Sequence, residues 1–192
     1  ALASGLVNFT PPRAGRLLRH DLCFLPAIWA EKEDAVLVDD VDYAWEQYMI
    51  TTLNKPCNFI NYNELSRMAS LGNDMEFEPW GWDMPVREQL VKCNVPMSSL
   101  PDNDYLNNIK KISHRGWCAK NLLPTLTKIH NTIGNAKIGH NMEELKIYLS
   151  AYHSIIVKSP WSCSGRGVRR VDNNSYKQLE GWLNNVIKHQ GC

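Results

Sequence analysis

The chain has 192 residues, 44% hydrophobic and 21% charged, and its 21 Lys and Arg nearly balance 20 Asp and Glu. That balance argues against nucleic acid as a partner, since bulk phosphate neutralisation needs a clear basic excess, although a local basic cluster can still hold one small polyanion. Near-average composition excludes a disordered or fibrous chain, and at roughly 100–200 residues per domain the length admits one domain or two small ones.

Thr10-Pro11-Pro12 predicts a helix start, a hydroxyl cap followed by proline at the first helical position, where the missing N–H costs nothing. That helix is expected to continue through Ala14–Arg19 and to break near Pro26. Ala35–Val38 is a short apolar run between acidic flanks, suited to a buried parallel strand. Asp42–Leu53 reads as a helix, Cys57–Ile60 as a second strand, and Asn63–Leu71 as a helix ended by Gly72. The aromatic loop Glu78–Asp83 leads into a helix from Pro85 to Lys92. Strands alternating with helices indicate an α/β layer with a parallel sheet. Val95–Asp104, with two prolines and two serines, is the best linker and divides the chain into 1–104 and 105–192.

Beyond that point Tyr105–His130 reads as largely helical, with interruptions at Gly116 and Pro124. A helix from 141 or 142 to Tyr152 precedes the β-branched strand Ser154–Lys158, a loop over Pro160–Gly167 and a return strand over Val168–Val171. A last helix over Asn173–His189 is expected to turn Leu179, Leu183, Val186 and Ile187 inward. The order is strand, glycine loop, strand, helix. In a Walker A loop or a Rossmann fingerprint a helix follows the glycines directly, so neither is present.

The longest uncharged apolar run, Leu22–Ala30, is nine residues and contains Pro26. A span needs about 20, so no membrane partner is expected. The first ten residues lack a basic region and a long apolar core; they do not read as a signal peptide and open as if in mid-sequence. Six cysteines occur without C-x-x-C or metal-ligand spacing, which predicts no metal site and reduced, mostly buried thiols of a cytoplasmic protein.

The informative segment is Ile155–Val168, I-I-V-K-S-P-W-S-C-S-G-R-G-V. A lysine leaving a buried strand is held by backbone that moves little, so its ammonium can serve as a fixed counter-charge. Ser162, Ser164, Gly165 and Gly167 let the following loop fold closely over a polyanion, because glycines expose backbone N–H groups and serines add hydroxyl donors. Arg166 supplies a planar guanidinium suited to phosphate or carboxylate. A hairpin turn with two glycines and a surface arginine is the plainer use of the same residues.

With a strand-terminal lysine before it and a strand and long helix after it, this segment resembles the ATP-grasp superfamily. The resemblance covers about 106–192 and rests mainly on Lys158–Val168. It implies that Lys158 contacts the α/β-phosphates of ATP, while Ser162, Ser164, Gly165, Arg166 and Gly167 form a flexible phosphate lid. It also implies an earlier basic residue at the head of a helix, on the α-phosphate or adenine side. Arg115 in Ser113-His114-Arg115 matches best, with Lys110, Lys111 and Lys120 as nearby alternatives. Residues 1–104 resemble the Rossmann-like α/β domain that precedes the grasp module. N-F-T-P-P-R-A-G-R-L-L-R-H-D-L-C-F-L-P-A-I-W-A, E-P-W-G-W-D and I-S-H-R-G-W together are similar to uncharacterised bacterial ATP-grasp proteins with PWSSSGRG-like loops.

The resemblance therefore implies a Rossmann-like domain over 1–104 followed by the first part of an ATP-grasp domain over 105–192, in a chain incomplete at both ends. It implies an ATP-dependent ligase that activates a small carboxylate as an acylphosphate for attack by an amine or thiol. The magnesium ligands are expected beyond Cys192, so the chain alone is expected to be inactive. A non-catalytic nucleotide-binding or scaffold protein is the alternative, and a phosphate-binding structural domain serving a protein partner is a third. A homodimer is compatible with the sequence.

Four other features have two uses each. Trp80 and Trp82 are candidates for lining a substrate pocket or for plugging the domain junction. Arg13, Arg16 and Arg19 can meet an acidic ligand or form a solvated helix face. Asp39, Asp40 and Asp42 can bind a cation or suit a helix N-terminus. Cys163 can be a nucleophile or fill a serine-like slot in the loop. No G-x-S-x-G, H-E-x-x-H or Ser/His/Asp arrangement supports a hydrolase or zinc enzyme.

Overall fold

The computed structural model describes residues 5–54, 57–72, 74–162, 165 and 167–190. It is mixed α/β, with about 51% helix and two small sheets. The chain divides into two units, Ala1–Leu106 and Asn107–Cys192.

In the first unit, helix α1 (Arg13–Leu22) begins two residues later than Thr10-Pro11-Pro12 suggested, and Thr10 is not its cap. Pro12 is the N-cap, extended at φ −55° and ψ 154°, and no side chain caps the end. The reason lies in the paired prolines: a residue that precedes proline is driven out of the helical region, so Thr10 and Pro11 both stay extended. The chain then makes a short 3₁₀ turn over Leu25–Ile28, with Pro26 in its first turn.

Strands β1 (Ala35–Leu37) and β2 (Asn58–Ile60) pair in parallel, Ala35 opposite Asn58 and Leu37 opposite Ile60. Between them runs α2 (Tyr43–Leu53), whose Met49 is buried with Ala27, Val36, Val38, Cys57 and Phe59. Two of the acidic residues after β1 have structural partners. Asp39 pairs with Arg19 at 2.8 Å, and Asp42 Oδ1 accepts the Trp45 N–H at 3.2 Å in the first turn of α2.

Helix α3 (Tyr62–Ser70) starts on a capping box: Asn61 accepts from Asn63 and Glu64 N–H, and the Glu64 carboxylate accepts the Asn61 N–H. It ends where Gly72 takes φ +75°, a left-handed conformation that glycine adopts without a Cβ penalty. Helix α4 (Met84–Lys92) is capped by Asp83. Leu65, Ala69, Leu90, Cys93, Val95 and Leu100 form a second core. Val95 and Leu100 lie in the stretch read as a linker and are packed in this core. Proline and serine there shape a 3₁₀ turn over Met97–Ser99, while two apolar side chains anchor it on both sides. The division of the chain falls inside α5 (Asn103–Ile112).

In the second unit the expected helical stretch is three pieces, the end of α5, then α6 (Arg115–Asn121) and α7 (Leu123–Leu126). The first break falls at Ser113-His114, ahead of Gly116, because His114 adopts extended backbone and caps α6 with its own ring. No helix continues past Leu126 toward His130. Helix α8 (Met142–Tyr152) is capped by Asn141 and leads into β3 (Ser154–Lys158).

Strand β3 pairs antiparallel with β4 (Val168–Asp172), from Ser154 opposite Asp172 to Lys158 opposite Val168. Strand alternation puts Ile155 and Val157 on the core face and leaves Ile156 exposed. Asp172 Oδ1 accepts from Asn174 N–H, Ser175 N–H and Ser175 O–H, and these bonds hold its carboxyl below the ordinary range. That turn launches α9 (Tyr176–Gln190), whose Leu183 and Val186 are buried while Leu179 and Ile187 pack at the core's edge. Among the described residues no helix is long and apolar enough to cross a membrane.

Candidate functional site

Lys158 closes β3 on the face opposite Val157, exposed, and no carboxylate pairs with it among the described residues. The next residue reverses direction. Ser159 is 6% exposed, and its N–H donates to the Gly167 carbonyl at 2.7 Å, shutting the base of the 159–167 loop. A Cβ at Gly167 would collide with the Ser162 side chain and approach Ser159 Cβ to 2.9 Å, so only glycine allows that closure. Gly165 takes φ +73°, and its carbonyl accepts the Val168 N–H at 3.1 Å.

Arg115 holds the other half of the loop. Its Nη1 donates to Ser159 O and Ser162 Oγ, its Nη2 donates to Ser162 O, and its backbone N–H donates to Pro160 O at 3.2 Å. The guanidinium therefore fixes residues 159–162 against the start of α6. Ser162 Oγ in turn donates to Ser159 O at 3.4 Å. The structure thus brings Arg115, Ser162 and Gly167 together, with Lys158 at the rim in sequence and register. Ser164, Arg166 and Cys163 lie outside the described residues.

Next to this loop lies a cleft of about 470 Å³ lined by Lys111, His114, Trp117, Lys120, Asn121 and Trp161. Lys158, Ser162, Gly165 and Gly167 do not line it. The imidazole of His114 stands edge-on to Trp161, ring centroids 4.5 Å apart, and its Nδ1 accepts the Gly116 N–H at 2.9 Å. Gly116 is needed there, since a Cβ would sit 2.8 Å from the His114 ring. Sequence reasoning considered Lys111 and Lys120 only as alternatives to Arg115, and it assigned no role to Trp117 or Trp161. The one available signal was the density of basic and aromatic residues across 110–120.

Partial burial lowers the His114 pKa from 6.5, because leaving water penalises the imidazolium. The folded chain then binds this proton less readily than the unfolded chain does. Stability is expected to fall as pH drops below about 6.5 and on through the lower pKa of the folded state. Urea denaturation at about pH 7 and pH 5 should show a smaller loss for His114→Asn than for the parent chain. An equal loss in both would place the proton uptake elsewhere.

Trp80 and Trp82 are not brought together. Trp80 is 77% exposed and meets Trp29 edge-on at 5.5 Å, whereas Trp82 packs on the second core of the first unit. Of the cysteines described, Cys57 and Cys93 are buried, Cys23 is half-buried and Cys118 is exposed, all as free thiols. Burial pushes the Cys57 thiol pKa up, which makes it a poor nucleophile. A smaller cleft of about 150 Å³ includes His20, Asp21, Cys23, Asp40 and Asp42. No three His, Cys, Asp or Glu side chains among the described residues are grouped so as to hold a metal ion.

No protein-family model, curated protein or solved structure matches the chain.

Proposed function

We propose that the unit over 107–192 binds ATP through Lys158 and the glycine loop, and that the complete protein uses it to activate a carboxylate. A carboxylate oxygen attacks the γ-phosphorus and ADP leaves; an amine or thiol then attacks the acyl carbon and inorganic phosphate leaves. Lys158 and Arg166 would meet phosphate charge, and the loop over Ser162, Ser164, Gly165 and Gly167 would exclude water. Such electrostatic positioning supplies most of the rate of phosphoryl transfer.

The observation that carries this reading is the state of Lys158. Its ammonium has no carboxylate partner among the described residues and is exposed at the end of a paired strand. Beside it, the loop base is closed by Ser159–Gly167 and fixed by Arg115. A counter-charge on rigid backbone next to a glycine turn is what a polyphosphate tail needs. Magnesium would enter with the nucleotide and need only one or two protein carboxylates beside the phosphates; among the described residues no cluster of three or more candidate ligands occurs.

A site filled at 100 times its dissociation constant adds about 2.7 kcal/mol, which reads out as a higher melting temperature. MgATP is expected to produce that shift, and Lys158→Gln is expected to abolish it while melting normally without nucleotide. Phosphate release by the complete protein with its substrate marks a ligase; stabilisation without release marks the non-catalytic nucleotide-binding protein. No shift with either ATP or ADP overturns both.

A further inference from the structure

The cleft beside the loop lies outside the proposed phosphate grip of Lys158 and the glycine loop. Lys111 and Lys120 line it, and neither has an ion-pair partner among the described residues. No acidic side chain lines it, so nothing within the cleft offsets their charge. A third cation, Lys110, has its Nζ 5.8 Å from the centre of the Trp161 ring. The field inside is positive.

The walls are flat and apolar. Trp117 and Trp161 contribute indoles, and Ile138 adds an aliphatic surface. Two directional groups complete the lining. Because His114 Nδ1 accepts the Gly116 N–H, its neutral ring carries the proton on Nε2 and presents a donor there. Asn121 spends its Nδ2 on the Trp117 carbonyl at 2.8 Å, which leaves Oδ1 as an acceptor. A volume of about 470 Å³ falls within the roughly 300–1,000 Å³ of small-molecule pockets, which combine apolar walls with a few placed polar groups.

From these features we infer that the cleft is a binding site for a small anion bearing a flat ring, an aryl phosphate or an aryl carboxylate, separate from the proposed phosphate grip at Lys158. The lysines neutralise the head group, and the indoles take the ring. Lysine is a compact point charge that accepts either head group. Aromatic walls distinguish such a ligand from inorganic phosphate, and the cations distinguish it from a neutral ring.

The test uses the whole chain, isotope-labelled so that each tryptophan gives an indole N–H signal in a nitrogen–proton correlation spectrum. Trp117→Phe and Trp161→Phe assign the two signals of interest. Trp161 Nε1 is buried without a partner among the described residues, so its resonance reports small changes in packing. The probes are 1-naphthyl phosphate, 1-naphthoate, inorganic phosphate and 1-naphthol. At least one of the two acids should shift both signals in a saturable manner, at least tenfold more tightly than inorganic phosphate or 1-naphthol. Which acid binds tighter identifies the head group.

Charge removal at Lys111→Gln with Lys120→Gln should weaken the acid at least tenfold while the remaining indole signals keep their positions, which shows that the fold is intact. Lys158→Gln should leave acid binding unchanged, so failure of the ATP reading does not touch this one. The inference is overturned if neither acid shifts the two signals, if 1-naphthol binds as tightly as the acids, or if the double lysine variant binds as the parent does.

Discussion

Leu183→Ala is expected to lower the stability of the 107–192 unit by about 2–5 kcal/mol, the usual cost of emptying a leucine site in a packed core. Leu183 is 1% exposed and lies in the cluster of Leu145, Leu149, Val157 and Val171. These come from α8, β3 and β4, so α9 covers the inner face of the hairpin through this side chain. Truncation leaves a cavity bounded by both strands and a helix, which relaxes only in part. Leu179→Ala, at the half-buried margin of the same cluster, should cost less. Urea titrations of the two variants against the parent chain measure the difference. A loss under about 1 kcal/mol for Leu183→Ala would mean that α9 does not seal the core. The effect should also reach the proposed site. Lys158 sits opposite Val168 in the register that this core supports, and a loosened β4 would carry Gly167 away from Ser159.

The hairpin and its helix were legible because their signals are local and strong. S-I-I-V-K is β-branched and alternates across a half-buried strand, and Leu179, Leu183 and Val186 recur at helical spacing. Gly72 was legible for a similar reason, since a helix end in the left-handed region selects glycine. The packing of the linker stretch was not legible because composition reports turn chemistry but not burial. Pro96 and Ser98 suit a turn whether or not Val95 and Leu100 are packed beside it. The N-terminal cap failed because local rules compete, and the restraint that proline places on its predecessor prevailed over the hydroxyl at Thr10.

The cleft was the least legible feature. Its residues run from Lys111 to Trp161, across a helix break, two short helices, a segment without regular structure, α8 and β3, into the loop between β3 and β4. No spacing rule joins positions that meet only after folding. The break at His114 also resets the helical phase, so Lys111 and Lys120 cannot be placed on one face by counting in steps of 3.6. Arg115 is the middle case. The resemblance implied a contact to the α-phosphate or adenine side, and nothing in the sequence indicated that its guanidinium turns to Ser159 and Ser162.

That direction makes Arg115 the sharpest test of how the loop is built. Arg115→Ala is expected to destabilise the unit by about 2–4 kcal/mol in the absence of nucleotide. Hydrogen bonds to a charged group contribute about 1.5–3 kcal/mol each and do not add fully when they share one fork. The substitution removes the donors to Ser159 O, Ser162 Oγ and Ser162 O together, beside a serine that is itself buried. Arg115→Lys should recover only part of the loss, because a single ammonium cannot address three acceptors with the geometry of a planar fork. A residue that instead waited for the α-phosphate would behave differently. Its removal would leave the nucleotide-free stability within about 0.5 kcal/mol of the parent and abolish the stabilisation by MgATP. Urea denaturation with and without MgATP, on the parent, Arg115→Ala and Arg115→Lys, separates the two. The clamp predicts a nucleotide-free loss with partial recovery by lysine, and a protease probe should cut between Ser159 and Val168 sooner in Arg115→Ala. Unchanged nucleotide-free stability would remove Arg115 from the loop's support.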